Sequence, residues 1–506
     1  MENTFILTGL LNSIAPTNLF FIVLGSAIGI VVGALPGLSA TMALALLLPL
    51  TFPLPPETGL CMLASLYVSA MYGGSVAAIL LRTPGTPAAA ATVLDGFPMG
   101  VRGEAGRALG ISLASSMVGG VLSGIALLLA APLLGDVVLL FGPVELFAIA
   151  LLGITMIGTL TKGSPIKGLL SGALGLLLAM VGMDATTGTA RFTFDNINLY
   201  SGIDFTAALI GLFSVPQAIA LAEQSRVKEQ LANQLRDRIL PRMKEFMELM
   251  PNMLRSSLIG VVVGVIPGTG GDTASWFAYN EAKRFAKDKS KFGKGDPGGV
   301  AAPEAANNAV VGGALVPTIA LGIPGSSSAA VLLGGLMVHG ILPGPTLLTE
   351  YGDVTYTLIW AIILSNIPMF VLGLLMMRLC IYVTLVPKMI VALTIIVLSV
   401  IGAFAINNNF FDVWLMAGFG VVGYIFDRAK IPTAPMVIGL VLGFLLDSSL
   451  NQALRIGYGE WDVFLKSPMS LVLLVIALLS ILQATPFFRL FVRRKRHTVQ
   501  PGSQPL

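Results

Sequence analysis

Apolar stretches long enough to cross or enter a lipid bilayer recur along the whole chain, and this constrains the fold more than any other feature. They include Phe20–Val32, Thr58–Leu81, Ala108–Leu134, Leu358–Met377 and Met469–Leu482. A spanning helix needs about 20 mainly apolar residues, and fewer where it is broken or re-entrant. Only 11% of the residues are charged, whereas soluble domains carry about 25%. We therefore expect an all-α polytopic membrane protein in a lipid bilayer, without a separate soluble domain.

The polar residues exclude several other classes of protein. The net charge of +4 comes from clusters in loops and at the C-terminus, so it bears on topology and does not indicate nucleic-acid binding. Cys61 and Cys380 lie in apolar surroundings and offer no disulfide or metal framework. With His339 and His497 as the only histidines, histidine-based zinc or triad chemistry is not expected. The sequence predicts neither an enzyme nor a bound organic cofactor.

Two halves of the chain carry the same pattern of Pro-Gly pairs inside apolar sequence. The four segments are GALPGLSATMALALLLPL from Gly33, YGGSVAAILLRTPGTPAAAATVLDG from Tyr72, GVIPGTGGDTASWFAYNE from Gly264 and VGGALVPTIALGIPGSSSAAVLLGG from Val311. Pro36-Gly37 matches Pro267-Gly268, and Pro84-Gly85 matches Pro324-Gly325. The order of the pairs agrees, and their spacing agrees approximately. The chain therefore contains an internal repeat.

The basic residues indicate that the two repeats have opposite orientations. Between its Pro-Gly pairs the second half has six basic residues in Lys283–Lys294, whereas the matching Thr51–Thr58 has none. After its second pair the first half has Arg102 and Arg107, whereas His339–Asp353 has no Lys or Arg. Because basic residues mark cytoplasmic loops, matching loops are predicted on opposite sides, as in an inverted-topology repeat.

These observations predict a division of the chain into four parts. Residues 1–222 would form the first membrane repeat, 223–252 a cytoplasmic linker, 253–488 the second membrane repeat, and 489–506 a basic cytoplasmic tail. Three basic residues, Arg191, Arg455 and Lys466, do not fit the predicted alternation of sides.

The Pro-Gly pairs mark the predicted binding site. Proline removes a backbone donor and glycine loosens a helix, so each pair frees backbone groups that lipid cannot satisfy. Discontinuous helices of secondary transporters use such groups, with their N-termini facing anionic substrates and freed carbonyls binding sodium. Hydroxyl residues suited to capping a new helix follow every pair. The alternative is that these residues only permit close helix packing.

The predicted substrate-binding residues come from all four breaks and from one further segment. They are Gly37, Ser39, Thr41, Pro84, Gly85, Thr86, Gly268, Thr269, Gly270, Asn307, Asn308, Gly325, Ser326 and Ser327. A possible sodium site is placed near Gly37, Gly268, Asp272 and Glu304. Asp272 could instead be a water-facing carboxylate at a helix start, and Glu304 could instead cap a helix. The spacing of Glu304, Asn307 and Asn308 places the three on one helical face.

Several of these motifs together resemble those of a known family. GALPGLSA paired with GVIPGTGG, then FGKGDPGGVAAPEAANNA and LGIPGSSSAAVLLGGL, are similar to the large membrane subunit of the tripartite tricarboxylate transporters, the TctA type. The similarity covers nearly the whole chain, including RFTFD at Arg191–Asp195 and GLFSV at Gly211–Val215. The GKGD…APEAANNA segment is the most specific part.

The resemblance implies a three-part uptake system in the bacterial inner membrane. A periplasmic solute-binding protein of the TctC type would capture an organic carboxylate, and this subunit would transport it with a small membrane subunit of the TctB type. It implies sodium or proton coupling without ATP, and substrates among citrate, other tricarboxylates, dicarboxylates and aromatic carboxylates. The absence of a GxxxxGK[ST] motif agrees with that.

The inverted repeat and the broken helices predict an elevator-like or rocking secondary transporter. Two other classes remain open at this stage. A passive anion channel is an alternative, because broken helices also build selectivity filters. A membrane-embedded enzyme would need a cluster of polarised catalytic groups, and few intramembrane ionisable residues are present beyond Glu304 and Asp272.

Overall fold

Helices form almost all of the regular structure, as expected for apolar segments in lipid, where a helix satisfies its own backbone hydrogen bonds. The computed structural model describes residues 2–138, 141–160, 164–184, 188–223, 238–344, 346–384 and 386–484. Within these ranges 9 helices are long and apolar enough to cross a membrane. The prediction of an all-α, multi-pass membrane protein is confirmed.

The first half of the chain contains helices of very different lengths joined by short loops. They are α1 (Glu2–Ile14), α2 (Pro16–Ala34), α3 (Ala40–Leu47), α4 (Pro56–Leu81), α5 (Val93–Val101), α6 (Ala105–Val138), α7 (Pro143–Leu160), α8 (Pro165–Ala179) and α9 (Phe205–Glu223). Two short strands, β1 (Gly182–Met183) and β2 (Ala190–Arg191), pair antiparallel between α8 and α9. Helix α4 is buried from Thr58 to Leu81, which places it in the protein interior.

The second half also contains helices of very different lengths. They are α10 (Met243–Val265), α11 (Gly270–Phe285), α12 (Pro297–Leu321), α13 (Ser327–Val338), α14 (Thr346–Thr349), α15 (Gly352–Thr384), α16 (Lys388–Asn407), α17 (Phe410–Arg428), α18 (Ala434–Ile456), α19 (Val463–Lys466) and α20 (Pro468–Ala484). Helix α12 is buried along almost its whole length, as α4 is in the first half. It carries Glu304, Asn307 and Asn308, so these polar side chains lie in the interior.

The chain divides into two compact units, and all four Pro-Gly pairs lie in one of them. That unit comprises residues 1–140 and 204–427. The other unit comprises residues 141–203 and 428–506, and within it α18 packs against α7 and α8.

Ion pairs account for the presence of two basic residues in segments that are predicted to be periplasmic. Arg191 contacts Asp447 at 2.7 Å and Asp184 at 3.3 Å, and Lys466 contacts Asp462 at 2.6 Å. Their charges are therefore balanced by neighbouring carboxylates, which weakens them as markers of the cytoplasmic side.

The internal repeat of the sequence appears as a repeated backbone arrangement. In the first half the chain turns back after α4, and the Gly85 amide donates to the Gly74 carbonyl at 3.1 Å. In the second half the chain turns back after α12, and the Gly325 amide donates to the Ala314 carbonyl at 3.2 Å. The two bonds join positions with the same separation in sequence.

Close approach of the backbone explains the glycine in each of these turns. A Cβ atom on Gly85 would lie 2.4 Å from the carbonyl oxygen of Gly33, at the end of α2. A Cβ atom on Gly325 would lie 2.6 Å from the carbonyl oxygen of Gly264, at the end of α10. Only glycine fits at such a distance, so each turn is held directly against the end of a preceding helix.

The predicted division into 1–222, 223–252, 253–488 and 489–506 stays a prediction. Helix α9 ends at Glu223 and α10 begins at Met243, so the last residues of the predicted linker are helical. Residues 224–237 and the tail 489–506 lie outside the described residues.

Candidate functional site

Each Pro-Gly pair separates two helical segments. Pro36-Gly37 lies between α2 and α3, and Pro267-Gly268 lies between α10 and α11. Pro84-Gly85 lies between α4 and a short 3₁₀ helix at Pro87–Ala90, and Pro324-Gly325 lies between α12 and α13. Gly37 and Gly268 have φ angles of +88° and +81°, a conformation that favours glycine. The predicted helix breaks are therefore present at all four positions.

A group of buried hydroxyl side chains joins the first break of one half to the second break of the other. The Thr41 and Ser328 hydroxyl oxygens lie 2.8 Å apart, and the Tyr67 and Ser326 hydroxyl oxygens lie 3.0 Å apart. We call these four residues, together with the half-buried Ser39 that precedes α3, the hydroxyl cluster. Helices α3 and α13 both begin at this cluster.

Two members of the hydroxyl cluster cap their helices as predicted. The Ser39 oxygen accepts a hydrogen bond from the Met42 amide at 3.1 Å, and the Ser326 oxygen accepts one from the Ala329 amide at 3.1 Å. Each cap uses only one of the N-terminal amides of its helix, and four such amides per helix lack an intrahelical partner. Helix N-termini carry partial positive charge, so two of them beside buried hydroxyls favour an anion.

A second group, the amide cluster, joins the other two breaks. It comprises Ala88, Gly271 and Asn307, together with Thr86, which precedes the 3₁₀ helix that carries Ala88 and whose side chain faces Gly74 of α4. A Cβ atom on Gly271, in the first turn of α11, would lie 2.5 Å from Asn307 Oδ1 and 3.3 Å from Ala88 Cβ. Asn307 Oδ1 and Thr86 Oγ1 are buried and have no hydrogen-bond partner within the described part of the chain. Buried polar atoms are nearly always paired in native proteins, so this cluster has unused hydrogen-bonding capacity.

The two clusters occupy matching places in the repeat. In the hydroxyl cluster the break that follows α2 meets the break that follows α12. In the amide cluster the break that follows α10 meets the break that follows α4. Each cluster therefore contains one break from each half of the chain, and a hydrogen bond between the Gly268 amide and the Gly325 carbonyl links the two groups.

The capping prediction is wrong at the other two breaks. The Thr86 side chain makes no capping hydrogen bond. Thr269 has helical backbone angles, and its hydroxyl donates to the Val263 carbonyl at 2.5 Å and the Ile266 carbonyl at 2.9 Å. The Thr269 hydroxyl therefore satisfies carbonyls at the end of α10 instead of amides at the start of α11. Carbonyls left free by the break compete for the same hydroxyl.

Two glycines predicted near a sodium ion make hydrogen bonds within the chain. The Gly37 carbonyl accepts a hydrogen bond from the Gln217 side chain, and the Gly268 amide donates to the Gly325 carbonyl at 3.0 Å. Asp272 lies in the first turn of α11 and is half-buried. In the described ranges no three His, Cys, Asp or Glu side chains are grouped as a metal site. A sodium site at these residues stays a prediction.

Glu304 lies in a pocket of hydroxyl groups, about one helical turn before Asn307 on α12. It is fully buried, accepts a hydrogen bond from Thr92 Oγ1 at 2.5 Å, and has Ser116 Oγ at 3.4 Å. Helix α5 begins immediately after Thr92, and Ser116 lies on α6. Glu304 therefore caps no helix, and its carboxyl is surrounded by hydroxyls instead of basic side chains.

The two asparagines point their amides at the backbone of α4. Asn307 Nδ2 donates to the Met71 carbonyl and Asn308 Nδ2 to the Val68 carbonyl, both at 3.1 Å. Both amides therefore help to hold α12 against α4. Asn307 also faces the first turn of α11, so it alone of the two adjoins a break.

Comparison with known proteins identifies the family of the chain. The profile of the Tripartite tricarboxylate transporter TctA family matches residues 19–438. The chain belongs to this family. The resemblance read from the motifs is confirmed, and the protein is a membrane transporter component of the TctA family.

Two relatives of this TctA-family protein come from Agrobacterium vitis. One, described as an uncharacterized 52.8 kDa protein in the TAR-I ttuC′ 3′ region, is 34% identical over 470 residues, which cover 93% of each chain. Another, described as an uncharacterized protein in the TAR-II ttuC′ 3′ region, is 33% identical over 225 residues, which cover 44% of this chain and 93% of the relative. No solved structure matches the chain.

The GKGD segment of this TctA-family chain owes its position to Asp95, a residue that sequence analysis did not single out. Asp95 lies on α5 and is fully buried. Its Oδ1 accepts hydrogen bonds from the amides of Gly293 at 2.9 Å, Gly295 at 2.7 Å and Asp296 at 2.8 Å. Its Oδ2 accepts a hydrogen bond from the Tyr279 hydroxyl at 2.8 Å. One carboxylate thus fixes the whole turn between α11 and α12.

Arg102 binds the carbonyl groups of the same turn, whereas Asp95 binds its amides. It donates to the Lys294 carbonyl at 3.0 Å and the Gly295 carbonyl at 2.7 Å. We call Asp95, Arg102 and residues 292–296 the α5 latch, because it ties the first half of the chain to the second. The sequence does contain a signal for Asp95, because it is a single acidic residue in the apolar stretch that follows Pro84-Gly85.

Proposed function

We propose that this protein is the permease subunit of a tripartite, binding-protein-dependent secondary transporter that imports organic carboxylates across the bacterial inner membrane. A periplasmic solute-binding protein would deliver the substrate, and a small membrane subunit would complete the complex. The observation that carries the proposal is the hydroxyl cluster, where two helix N-termini from different halves begin beside five hydroxyl side chains. Membership in the TctA family supports it.

The chemistry of the hydroxyl cluster suits a carboxylate. A carboxylate accepts hydrogen bonds only, and it needs donors that replace its water shell. The hydroxyls of Thr41, Tyr67 and Ser328 can each donate, and the first amides of α3 and α13 add backbone donors. The charge would be balanced by the two helix dipoles, so no buried arginine is required.

The amide cluster supplies a second point of attachment in this proposal. A substrate with two or three carboxylates presents anionic groups several ångströms apart. The two clusters together use all four breaks, so each cluster could bind one of these groups. The Thr86 hydroxyl and the α11 N-terminus would hold the second carboxylate, with Asn307 fixing its orientation. A monocarboxylate would use one cluster only, so we expect the protein to favour di- and tricarboxylates.

Sodium and proton remain alternative coupling ions. Sodium would bind oxygen ligands beside the breaks, near Gly37, Gly268 and Asp272. A proton would be carried by Glu304, whose carboxyl has only hydroxyl neighbours among the contacts described above. Uptake driven by an imposed sodium gradient at equal pH would identify sodium as the coupling ion. Uptake driven by a pH gradient without sodium would identify the proton.

We propose that transport uses an inverted repeat and an elevator-like movement. The repeated turns at Gly85 and Gly325 and the opposite distribution of basic residues support two halves of opposite orientation. Labelling of single cysteines at Ser290 and Pro55, which lie in matching loops of the two halves, from each side of the membrane tests this. Reaction of the two positions from the same side would contradict it.

Uptake into proteoliposomes tests the proposed function itself. The three components, reconstituted with an imposed ion gradient, should accumulate a carboxylate above its external concentration. Equilibration without accumulation would instead favour a passive anion channel. Replacing Ser399, whose hydroxyl bonds to the Ile395 carbonyl within its own helix at 2.8 Å, by Ala gives a matched control variant.

A further inference from the structure

An open apolar groove lies beside α6 where the chain enters α10. Its volume is about 550 Å³. Its walls come from α6, from the segment that begins at Leu240, and from Phe370 on α15. The principal lining side chains are Val118, Val121, Leu122, Met243, Phe246 and Phe370. The groove therefore offers a continuous hydrocarbon surface built by three separate parts of the chain.

A basic depression of about 620 Å³ adjoins this groove, and Leu240 lines both. Arg238, Arg242 and Lys244 lie around the depression and are exposed. None of these three forms an ion pair with any residue that the structure describes. Among the described residues, no carboxylate therefore pairs with these three charges at the end of the apolar groove.

The remaining charges of the depression are mostly paired. Arg107 contacts both Glu104 at 2.7 Å and Glu245 at 2.5 Å, so it balances one of these two acids. Glu248 is the third acid among the lining residues. Four cations and three acids line the depression, so the described residues give it a net charge of +1.

We propose that the groove and its basic rim bind one anionic phospholipid. An acyl chain would lie against Val118, Val121 and Phe246, and the phosphate would contact Arg242 with Arg238 or Lys244. Basic clusters next to spanning helices attract anionic lipids of the cytoplasmic leaflet, and basic residues mark that side of the membrane. A transmembrane helix of a partner subunit would fill the groove but leave the three cations without anions, so we favour the lipid.

Binding of phosphatidylglycerol to the purified full-length protein tests the proposal by native mass spectrometry. We expect an Arg238→Gln/Arg242→Gln/Lys244→Gln variant to bind this lipid about a hundredfold more weakly, from about fivefold for each basic residue. A matched Lys283→Gln/Lys287→Gln/Lys289→Gln variant also removes three exposed cations, but at a site without the apolar groove. It should bind the lipid as the native protein does.

Two further experiments distinguish a bound lipid from a bound soluble phosphate ester. Val121→Trp fills the groove and leaves the rim unchanged, so it should abolish phosphatidylglycerol binding. Soluble glycerol 3-phosphate should not compete with the lipid, because it lacks the acyl chains. Competition by glycerol 3-phosphate, or full lipid binding by Val121→Trp, would overturn the proposal in favour of a simple anion site.

Two other results would also overturn it. Equal loss of lipid from the two triple variants would mean that total charge, and not this rim, controls binding. Displacement of the lipid by the co-expressed small membrane subunit, with loss of that subunit from Val121→Trp, would assign the groove to a protein interface. Melting temperatures of each variant in neutral detergent, measured without added lipid, show whether the variants fold.

Discussion

Thr41 and Ser328 are 287 residues apart in the sequence, yet their hydroxyl oxygens lie 2.8 Å apart in the protein interior. Thr41 lies in the first turn of α3 and Ser328 in the first turn of α13. The contact therefore joins the starts of two helices that follow breaks in different halves of the chain. A site assembled in this way can change when one broken segment moves relative to the other, which is the property that a transporter needs.

Removing hydroxyls from the hydroxyl cluster should weaken substrate binding. We expect Tyr67→Phe and Ser328→Ala each to raise the KM for carboxylate uptake about tenfold to a hundredfold. A hydrogen bond to a charged group contributes about 1.5–3 kcal/mol, and 1.4 kcal/mol corresponds to a factor of ten. Uptake by proteoliposomes over a range of substrate concentrations measures this. An unchanged KM in both variants, with Ser399→Ala as the control, would place the substrate elsewhere.

Thr86→Val separates a binding role of Thr86 from a packing role. The Thr86 hydroxyl is buried without a described partner, so an apolar side chain of the same shape should leave the melting temperature unchanged or raise it slightly. Transport should nevertheless fall, because the substrate or ion loses a polar contact in the amide cluster. Thr86→Ser, which keeps the hydroxyl, should retain most of the activity. Native uptake by Thr86→Val would contradict this role.

Disrupting the α5 latch should destabilise the fold. Asp95→Ala leaves the amides of Gly293, Gly295 and Asp296 without their acceptor, and an unpaired amide that stays buried, as that of Gly295 does, costs about 1–3 kcal/mol. We expect a loss of about 3 kcal/mol or more in the free energy of unfolding. Tyr279→Phe removes a single hydrogen bond to the same carboxylate and should cost less, about 1.5–3 kcal/mol. Melting temperatures in detergent should therefore fall in the order native, Tyr279→Phe, Asp95→Ala, and the reverse order for the two variants would refute this account.

Stability should decrease in mild acid because of His339. Burial lowers the pKa of His339 below its usual value, although Glu57 acts in the opposite direction. A lowered pKa means that the folded state favours the neutral form of His339. The contribution of this residue to the free energy of unfolding is therefore complete above a pH of about 6.5. That contribution is lost as the pH falls through the folded-state pKa. The melting temperature should drop less between pH 7.5 and 5.5 in His339→Gln than in the native protein, with His497→Gln as the control.

The helix breaks could be predicted from the sequence because their causes are local. A Pro-Gly pair inside an apolar run disfavours a continuous helix, and the match between Pro36-Gly37 and Pro267-Gly268 needs only the order of residues. Capping at Ser39 and Ser326 was predictable for the same reason. At Thr269 the prediction was wrong, because the hydroxyl could satisfy either the amides after it or the carbonyls before it, and only the path of the backbone decides between them.

Contacts between distant segments could not be predicted in the same way. Asp95 is bound by amides about 200 residues further along the chain, and no local pattern identifies such a partner. Helical periodicity placed Glu304 and Asn307 on one face of α12, but that helix is buried on all sides. Thr92 on one side and α11 on another therefore determine which group each residue contacts.

Disulfide formation between α3 and α13 tests most directly that breaks from the two halves converge around the substrate. Thr41→Cys and Ser328→Cys, in a protein with Cys61→Ala and Cys380→Ala, should form a cross-link under mild oxidation in membranes. A transported carboxylate should slow the reaction because it would lie between the two positions, whereas acetate should slow it much less. Absence of the cross-link, or a rate that no transported carboxylate changes, would contradict the account.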